Sequence, residues 1–391
     1  MRSRPGHWLQ LTALAGLVGT HLAVVSGTVG IGHDAVAALA APPLAAVAVA
    51  AWWAHRRLLV PSLLALVLFG AAAAVTAHVL HVALASGALA AAAVSAVQCF
   101  RGAPVPAGSW RDYVTLTKPR IMSLLLVTGA AGMFVGAQGA PSPWLFLAAM
   151  TGLALACGGA SALNHVLDAD IDRLMGKRTE KRPVAAGRVT PAHALEFGLT
   201  LSALSFVLLA STVNVLTATL ALVGNLFYVV VYTRWLKRST PQNIVIGGAA
   251  GAVPPLVGYA AASGDLGLPA LWLFLIVFLW TPPHFWALAL LIKENYAAAK
   301  VPMLPVVRGD EETTRQIVLY SIAMVAFTLA VGLSLGPVYS VAAAALGGVF
   351  LAMAWRLRRE PTRRNAGVLF HYSLLYLALL FVAAAANPVL L

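Results

Sequence analysis

Nine apolar runs, spaced along residues 121–386 and joined by short polar connections, limit this chain more than any other feature of its sequence. They fall near residues 121–138, 144–164, 193–211, 214–233, 243–261, 269–291, 317–335, 338–355 and 367–386. Each is long enough for a helix to cross about 30 Å of hydrocarbon. No water satisfies peptide groups in that medium, so each run must be a helix that closes its own hydrogen bonds. The connections alternate in charge. Residues 111–120, 172–188, 234–238, 293–315 and 356–364 are basic, whereas QGAPSP (138–143), the turn near Asn214, SGDLG (263–267) and GPVY (336–339) carry almost no charge. The alternation puts every basic connection on one side, the cytoplasmic one by the positive-inside rule.

Composition agrees with an all-α polytopic protein of the cell membrane. Of 391 residues, 60% are hydrophobic and 10% charged, against roughly 25% charged in soluble domains. A net charge of +13 would suggest nucleic acid in a soluble chain. Here the Lys and Arg residues sit in loops without interleaved aromatic residues, so no nucleic-acid partner is expected. Cys99 and Cys157 are far apart and form no disulfide framework.

Ahead of the nine runs lies a block, residues 1–105, whose only carboxylate is Asp34. Its runs near 8–30, 36–54, 59–78 and 82–100 read as about four extra transmembrane helices, the first retained rather than cleaved as a signal peptide. Parity then places the N-terminus inside and the C-terminus outside. His21, His55, His78 and His81 lie near the ends of these runs and read more readily as interfacial or packing residues than as ligands. The block weakly resembles one four-helix half of a heme A synthase, and its role is open. The segment 101–113 (RGAPVPAGSWRDY) is rich in Pro, Gly and charge and reads as a linker. Two domains are therefore expected, 1–105 and 106–391.

Eight of the thirteen carboxylates fall in two segments on the basic side. The first is NHVLDADIDRLMGKRTEKRP (164–183). Asn164, Asp168 and Asp172 stand at i, i+4 and i+8, which on one continuous helix places them on a single face about 6 Å apart. Asp170 points elsewhere. Hard oxygen ligands in this register suit Mg²⁺, which takes one or two carboxylates and completes its shell with water and phosphate oxygens. Arg173, Lys177, Arg178, Lys181 and Arg182 follow, and a basic cluster there would neutralise a polyphosphate as it departs. The second segment, carrying Glu294, Asp310, Glu311 and Glu312, closes the stretch FLWTPPHFWALALLIKENYAAAKVPMLPVVRGDE (278–311). Pro282 and Pro283 should break or kink the span, and His284 behind them is an ionisable residue inside the membrane, a candidate functional group.

Five stretches in order resemble the UbiA superfamily of intramembrane prenyltransferases: TKPRIMSL (117–124), residues 164–183, YTRWLKRSTPQNIVIGGAAGAVPPLVGY (232–259), LWTPPHFWALAL (279–290) and KENYAAAKVPMLPVV (293–307). Within the superfamily they look most like the heme O synthase subgroup. The resemblance implies a nine-helix bundle with a central cavity, two metal-binding motifs at its cytoplasmic end, and transfer of a farnesyl group from farnesyl diphosphate to a vinyl group of heme b. It places Mg²⁺ on Asn164, Asp168 and Asp172. Many relatives carry DxxxD as the second motif, whereas here Glu294 takes the first acid position and Ala298 the second, so Glu294 is a partial metal site and Lys293 a diphosphate contact. Lys118, Arg120, Lys177, Arg178, Lys181, Arg182, Lys237 and Arg238 are the expected diphosphate cradle, and His284 the expected heme contact. Tyr228, Tyr232, Phe285 and Trp286 would shield an allyl cation. Heme b is a substrate rather than a cofactor in this reading, and a heme A synthase is a candidate partner. The alternatives are a prenyltransferase acting on a quinone precursor or aromatic acid, and a non-catalytic heme-handling protein.

Overall fold

Proline and short polar caps start most of the spans. The computed structural model describes residues 108–390 and, before them, only residues 12, 13, 15, 16, 43–48, 63, 65, 67 and 68. Most of the first block, including His21, His55, His78 and His81, lies outside the described residues, so its four expected helices are not followed through. A short surface helix α1 (Trp110–Leu116) precedes the first span α2 (Pro119–Ala137) and its partner α3 (Pro143–Leu167). Two short helices, α4 (Ala169–Leu174) and α5 (Lys177–Glu180), carry the basic loop. Then come α6 (Pro191–Thr212), α7 (Val215–Ser239), α8 (Asn243–Ser263) and α9 (Leu268–Leu291). A short α10 (Lys293–Ala298) leads into α11 (Leu304–Leu335), α12 (Pro337–Arg359) and α13 (Arg363–Leu390). Pro119, Pro143, Pro191, Pro269, Pro305 and Pro337 sit at first-turn positions, where a missing N–H costs nothing. Ser142, Thr190 and Asn214 accept from the backbone N–H groups of Leu145, His193 and Thr217 and so cap α3, α6 and α7.

All nine expected spans are present as helices among the described residues. The seventh is longer than hydropathy indicates, because its helix starts at Asp310, directly after Gly309 (φ 80°, ψ 175°) separates it from a short helical turn at residues 304–308. Asp310, Glu311 and Glu312 therefore open a helix rather than close a loop. The proline pair does not break its span: α9 runs from Leu268 to Leu291 through Pro282 and Pro283.

Consecutive spans pack side by side, and α13 returns to lie against α2, so the last span closes a ring on the first. Small residues let α2 and α8 approach closely. A Cβ on Gly258 would strike the Gly129 carbonyl, and one on Gly132 would strike that of Pro255. Gly159 likewise meets Ser202 and the Gly198 carbonyl, while Gly247 meets the Tyr232 ring and Gly248 meets Thr281. These glycines serve packing, whereas Gly251 faces open space. Apolar side chains such as Leu333, Val341 and Leu268 point outward, as a lipid-facing surface requires.

Candidate active site

The acid triplet sits where α3 gives way to α4. Asp168 is the junction, with φ −94° and ψ 5°, so the helix expected to run straight through residues 164–172 is broken at its middle acid. Arg238 donates to the Leu167 carbonyl at 2.6 Å and takes it from the helical ladder. The bonds from Asp168 N to Asn164 O (2.9 Å) and from Asp172 N to Asp168 O (2.8 Å) keep the four-residue register across the break. The three side chains are accordingly all buried, at 3%, 1% and 0% exposure.

Cations from three separate segments of the chain converge on them: the α1–α2 turn, the loop after α5 and the end of α7. The Lys118 ammonium donates to Asn164 Oδ1 at 2.6 Å. Lys118 has a left-handed backbone, φ 50° and ψ 59°; Pro119 bars it from the right-handed helical region, and the turn aims its side chain inward. Lys237 donates to Asp168 Oδ2 at 2.5 Å, and Arg182 to Asp172 Oδ1 at 2.6 Å. Asn164 Nδ2 donates to Asp168 Oδ2 at 2.8 Å and to Thr233 Oγ1 at 3.0 Å. Thr233 and Lys237 reach the triplet from α7, whose segment Phe227–Leu236 winds as a π-helix. The wider turn adds a residue per turn and changes which side chains face inward, and such segments recur at functional sites. Burial pushes the Lys118 ammonium down to about 7, with the Arg182 charge adding to the effect. Burial also raises the Asp172 carboxyl against the lowering influence of Arg182.

The other expected cradle residues lie mostly away from the triplet, although the Arg238 guanidinium also comes within 4.0 Å of Asp168 Oδ1. Arg238 forms a two-pronged pair with Asp170, 2.7 Å on each arm, and holds that exposed carboxyl down at about 2. Arg120, Lys177 and Lys181 are exposed, and the side chain of Arg178 is outside the described ones. Lys293 pairs with Asp310 at 2.7 Å on the surface. Glu294 is exposed, and the buried member of its motif is Tyr296, whose hydroxyl burial pushes up to about 12. Asn295 donates to the Met175 carbonyl at 2.5 Å and ties this second loop to the first. Thr233 and Tyr296 escaped sequence reasoning. The tyrosine of KENY was a visible signal, whereas a single threonine in a span carries none.

The inner triplet fits a hard divalent cation. Asp168 Oδ1 and Asp172 Oδ2 are buried and accept no hydrogen bond, an arrangement that a buried carboxylate tolerates poorly without a cation. Among the described residues no group of three or more His, Cys, Asp or Glu side chains gathers.

Deeper in the bundle, the His284 ring lies between Trp280 (4.2 Å) and Phe370 (4.9 Å) and is buried. Its Nδ1 is 2.6 Å from Ser373 Oγ, and that hydroxyl donates to the Phe370 carbonyl at 2.6 Å. A hydroxyl has one proton, so the bond assigns the Nδ1 proton to histidine and leaves the Nε2 lone pair free. The ring is thus held by α13 rather than by a carbonyl freed at the prolines. Tyr228 and Tyr232 stack at 5.5 Å on α7, and Trp286 is buried edge-on to Tyr320.

Residues 125–384 match the family model described as the UbiA prenyltransferase family. A protein of Roseiflexus sp. named protoheme IX farnesyltransferase is 52% identical over 282 residues, 71% of this chain and 52% of its own length. One of the same name from Trichodesmium erythraeum is 51% identical over 275 residues, 69% of this chain and 84% of its own. This chain therefore spans about half the length of the first relative and most of the second. Among solved structures, a digeranylgeranylglyceryl phosphate synthase superposes with TM-score 0.61 at 18% identity, over 72% of this chain and 99% of that one. A UbiA homolog from Archaeoglobus fulgidus bound to GPP and Mg²⁺ gives 0.51 at 16%, over 70% and 99%. At these identities the likeness concerns the fold.

Proposed function

The chain belongs to the UbiA prenyltransferase family, and from that membership we propose that it transfers the farnesyl group of farnesyl diphosphate to a vinyl group of heme b, giving heme O and diphosphate. The observation that carries the reading is the pair of buried, unsatisfied oxygens of Asp168 and Asp172 ringed by Lys118, Arg182 and Lys237. It is a cluster of cations around two carboxylate oxygens that still have lone pairs to offer a metal ion. Relatives about half identical to this chain carry the name protoheme IX farnesyltransferase, which supports heme as the acceptor over a quinone precursor or aromatic acid.

Asn164, Asp168 and Asp172 would hold Mg²⁺, which would supply Lewis-acid stabilisation to the departing diphosphate. Without substrate, Lys118 and Lys237 neutralise the triplet. When diphosphate arrives the same ammonium groups meet a stronger anion, so charge is available without burying new cations. Arg182 adds a guanidinium that can engage two phosphate oxygens. The allylic C–O bond breaks towards diphosphate, the vinyl carbon attacks the farnesyl cation, and water adds to the resulting heme-side cation, losing a proton to leave the hydroxyl. The chain must keep water away until the new carbon–carbon bond exists. Tyr228 and Tyr232 present ring faces suited to the cation. His284, with Nε2 unpaired, is suited to ligate the heme iron or orient the macrocycle. The basic loops face the cytoplasm in this reading.

Membranes containing the protein, given farnesyl diphosphate with both heme b and 4-hydroxybenzoate, should yield a porphyrin heavier by a farnesyl group and a hydroxyl group. Unchanged heme b alongside prenylated 4-hydroxybenzoate would overturn the choice of acceptor.

A further inference from the structure

One group in the acid triplet's own helix has no role so far. His165 is 2% exposed, and neither Nδ1 nor Nε2 has a hydrogen-bond partner. It follows Asn164 directly and precedes Asp168 by three residues, so its ring shares a side of the helix with Asp168. Ser161, one turn earlier on that side, donates to the Leu116 carbonyl at 2.6 Å. That side therefore faces the α1–α2 turn from which Lys118 enters the site. Lys118 donates to Asn164, the residue directly before His165, and Lys237 and Arg182 pair with Asp168 and Asp172 further along.

A buried imidazole has at least one N–H, and leaving it unpaired is costly. A ring beside a cluster of cations suits an anionic acceptor. We propose that His165 belongs to the diphosphate cradle, its ring N–H donating to a diphosphate oxygen of the prenyl substrate and so holding the leaving group beside Asp168 and Asp172. This rests on the reading of the site as a diphosphate site. It also accounts for the residue type. An imidazole can donate without carrying a charge, so it extends the cradle without setting a fourth cation against Lys118, Arg182 and Lys237 when no anion is bound.

The test is direct binding of inorganic pyrophosphate with Mg²⁺ to the full-length protein in detergent, with thermal melting recorded in parallel. His165→Leu should weaken binding about 10-fold, the worth of one charge-assisted hydrogen bond. Its melting temperature should hold or rise, since an unpaired buried polar group has been removed. His165→Gln, which keeps an N–H of similar reach, should bind within a few-fold of wild type. His165→Asn, too short to reach, replaces the leucine variant where that protein does not fold, with the same loss expected. Pyrophosphate binding as tight in His165→Leu as in wild type, while Asp168→Asn loses it, would overturn the role of His165 and leave the diphosphate site standing. Absence of pyrophosphate binding in wild type would overturn both.

Discussion

Lys237 and Asp168, sixty-nine residues apart, meet at 2.5 Å with the lysine side chain 11% exposed and the carboxylate 1%. A π-helical turn brings one and a broken α-helix presents the other. Such a pair is weak evidence for stability when intact, yet costly to break, because the survivor is left charged and buried. Lys237→Met should destabilise the protein by about 3–5 kcal/mol, and Lys237→Met combined with Asp168→Asn should recover most of that loss. Thermal melts of the two single variants and the double variant measure the coupling. Additive losses would show that the two residues do not act as a pair.

Asp168 and Asp170 are two residues apart and differ in every respect that matters to catalysis. Asp168→Asn should lower turnover about 10²-fold or more, since it removes charge from the site that stabilises the leaving group. Asp170→Asn gives up a surface pair with Arg238, worth little in solvent, and should stay within a few-fold of wild type. Equal losses would contradict the placement of Asp168 inside and Asp170 outside.

His284→Ala should weaken heme binding or alter the bound-heme absorption spectrum while pyrophosphate affinity persists. The Ser373 hydroxyl that holds Nδ1 should matter for the same reason, so Ser373→Ala is expected to shift the spectrum less but in the same direction. A well-folded His284→Ala protein with unchanged heme affinity and spectrum removes the residue from the heme site.

Asp112 anchors the start of α1 by accepting from the Ser109 N–H at 3.0 Å and from Arg188 at 2.8 Å. These bonds, the Ser109 N–H first, hold its carboxyl below the ordinary value of 3.8. A depressed carboxyl pKa adds stability that is present above about 3.8 and lost as pH falls through the folded-state value. Protection of the amides around residues 182–190 from hydrogen exchange, corrected for the intrinsic rate, should therefore fall as pH drops below about 3.8. Asp112→Asn should show the lowered protection at neutral pH. A variant with wild-type exchange would mean that the loop is held by its apolar contacts alone.

Removal of residues 1–105 should leave farnesyl transfer intact, because every matching motif and every residue of the described site lies beyond them. Mass analysis of the porphyrin made by membranes carrying the truncated protein checks this. A normally inserted protein making no heme O would assign the first block a part in the reaction.

The nine spans, their order and the four-residue register of Asn164, Asp168 and Asp172 were legible from residue order alone. Hydropathy over twenty residues and a four-residue period are local quantities, and in hydrocarbon they leave the backbone one solution. Lys118 and Arg182 could be named as cradle candidates because they flank the motifs. Tertiary structure decided the rest. Which lysine meets which oxygen, that Arg238 turns outward to Asp170 while Thr233 turns inward, and that Glu294 is exposed where Tyr296 is buried all depend on how helices are rotated against their neighbours. Rotation is set by close contacts such as Gly258 on Gly129 and by the π-turn of α7, neither of which has a periodic signature. The unpartnered ring of His165 is of the same kind, since whether a buried group has a partner is a property of the space around it and not of the residues beside it in the chain.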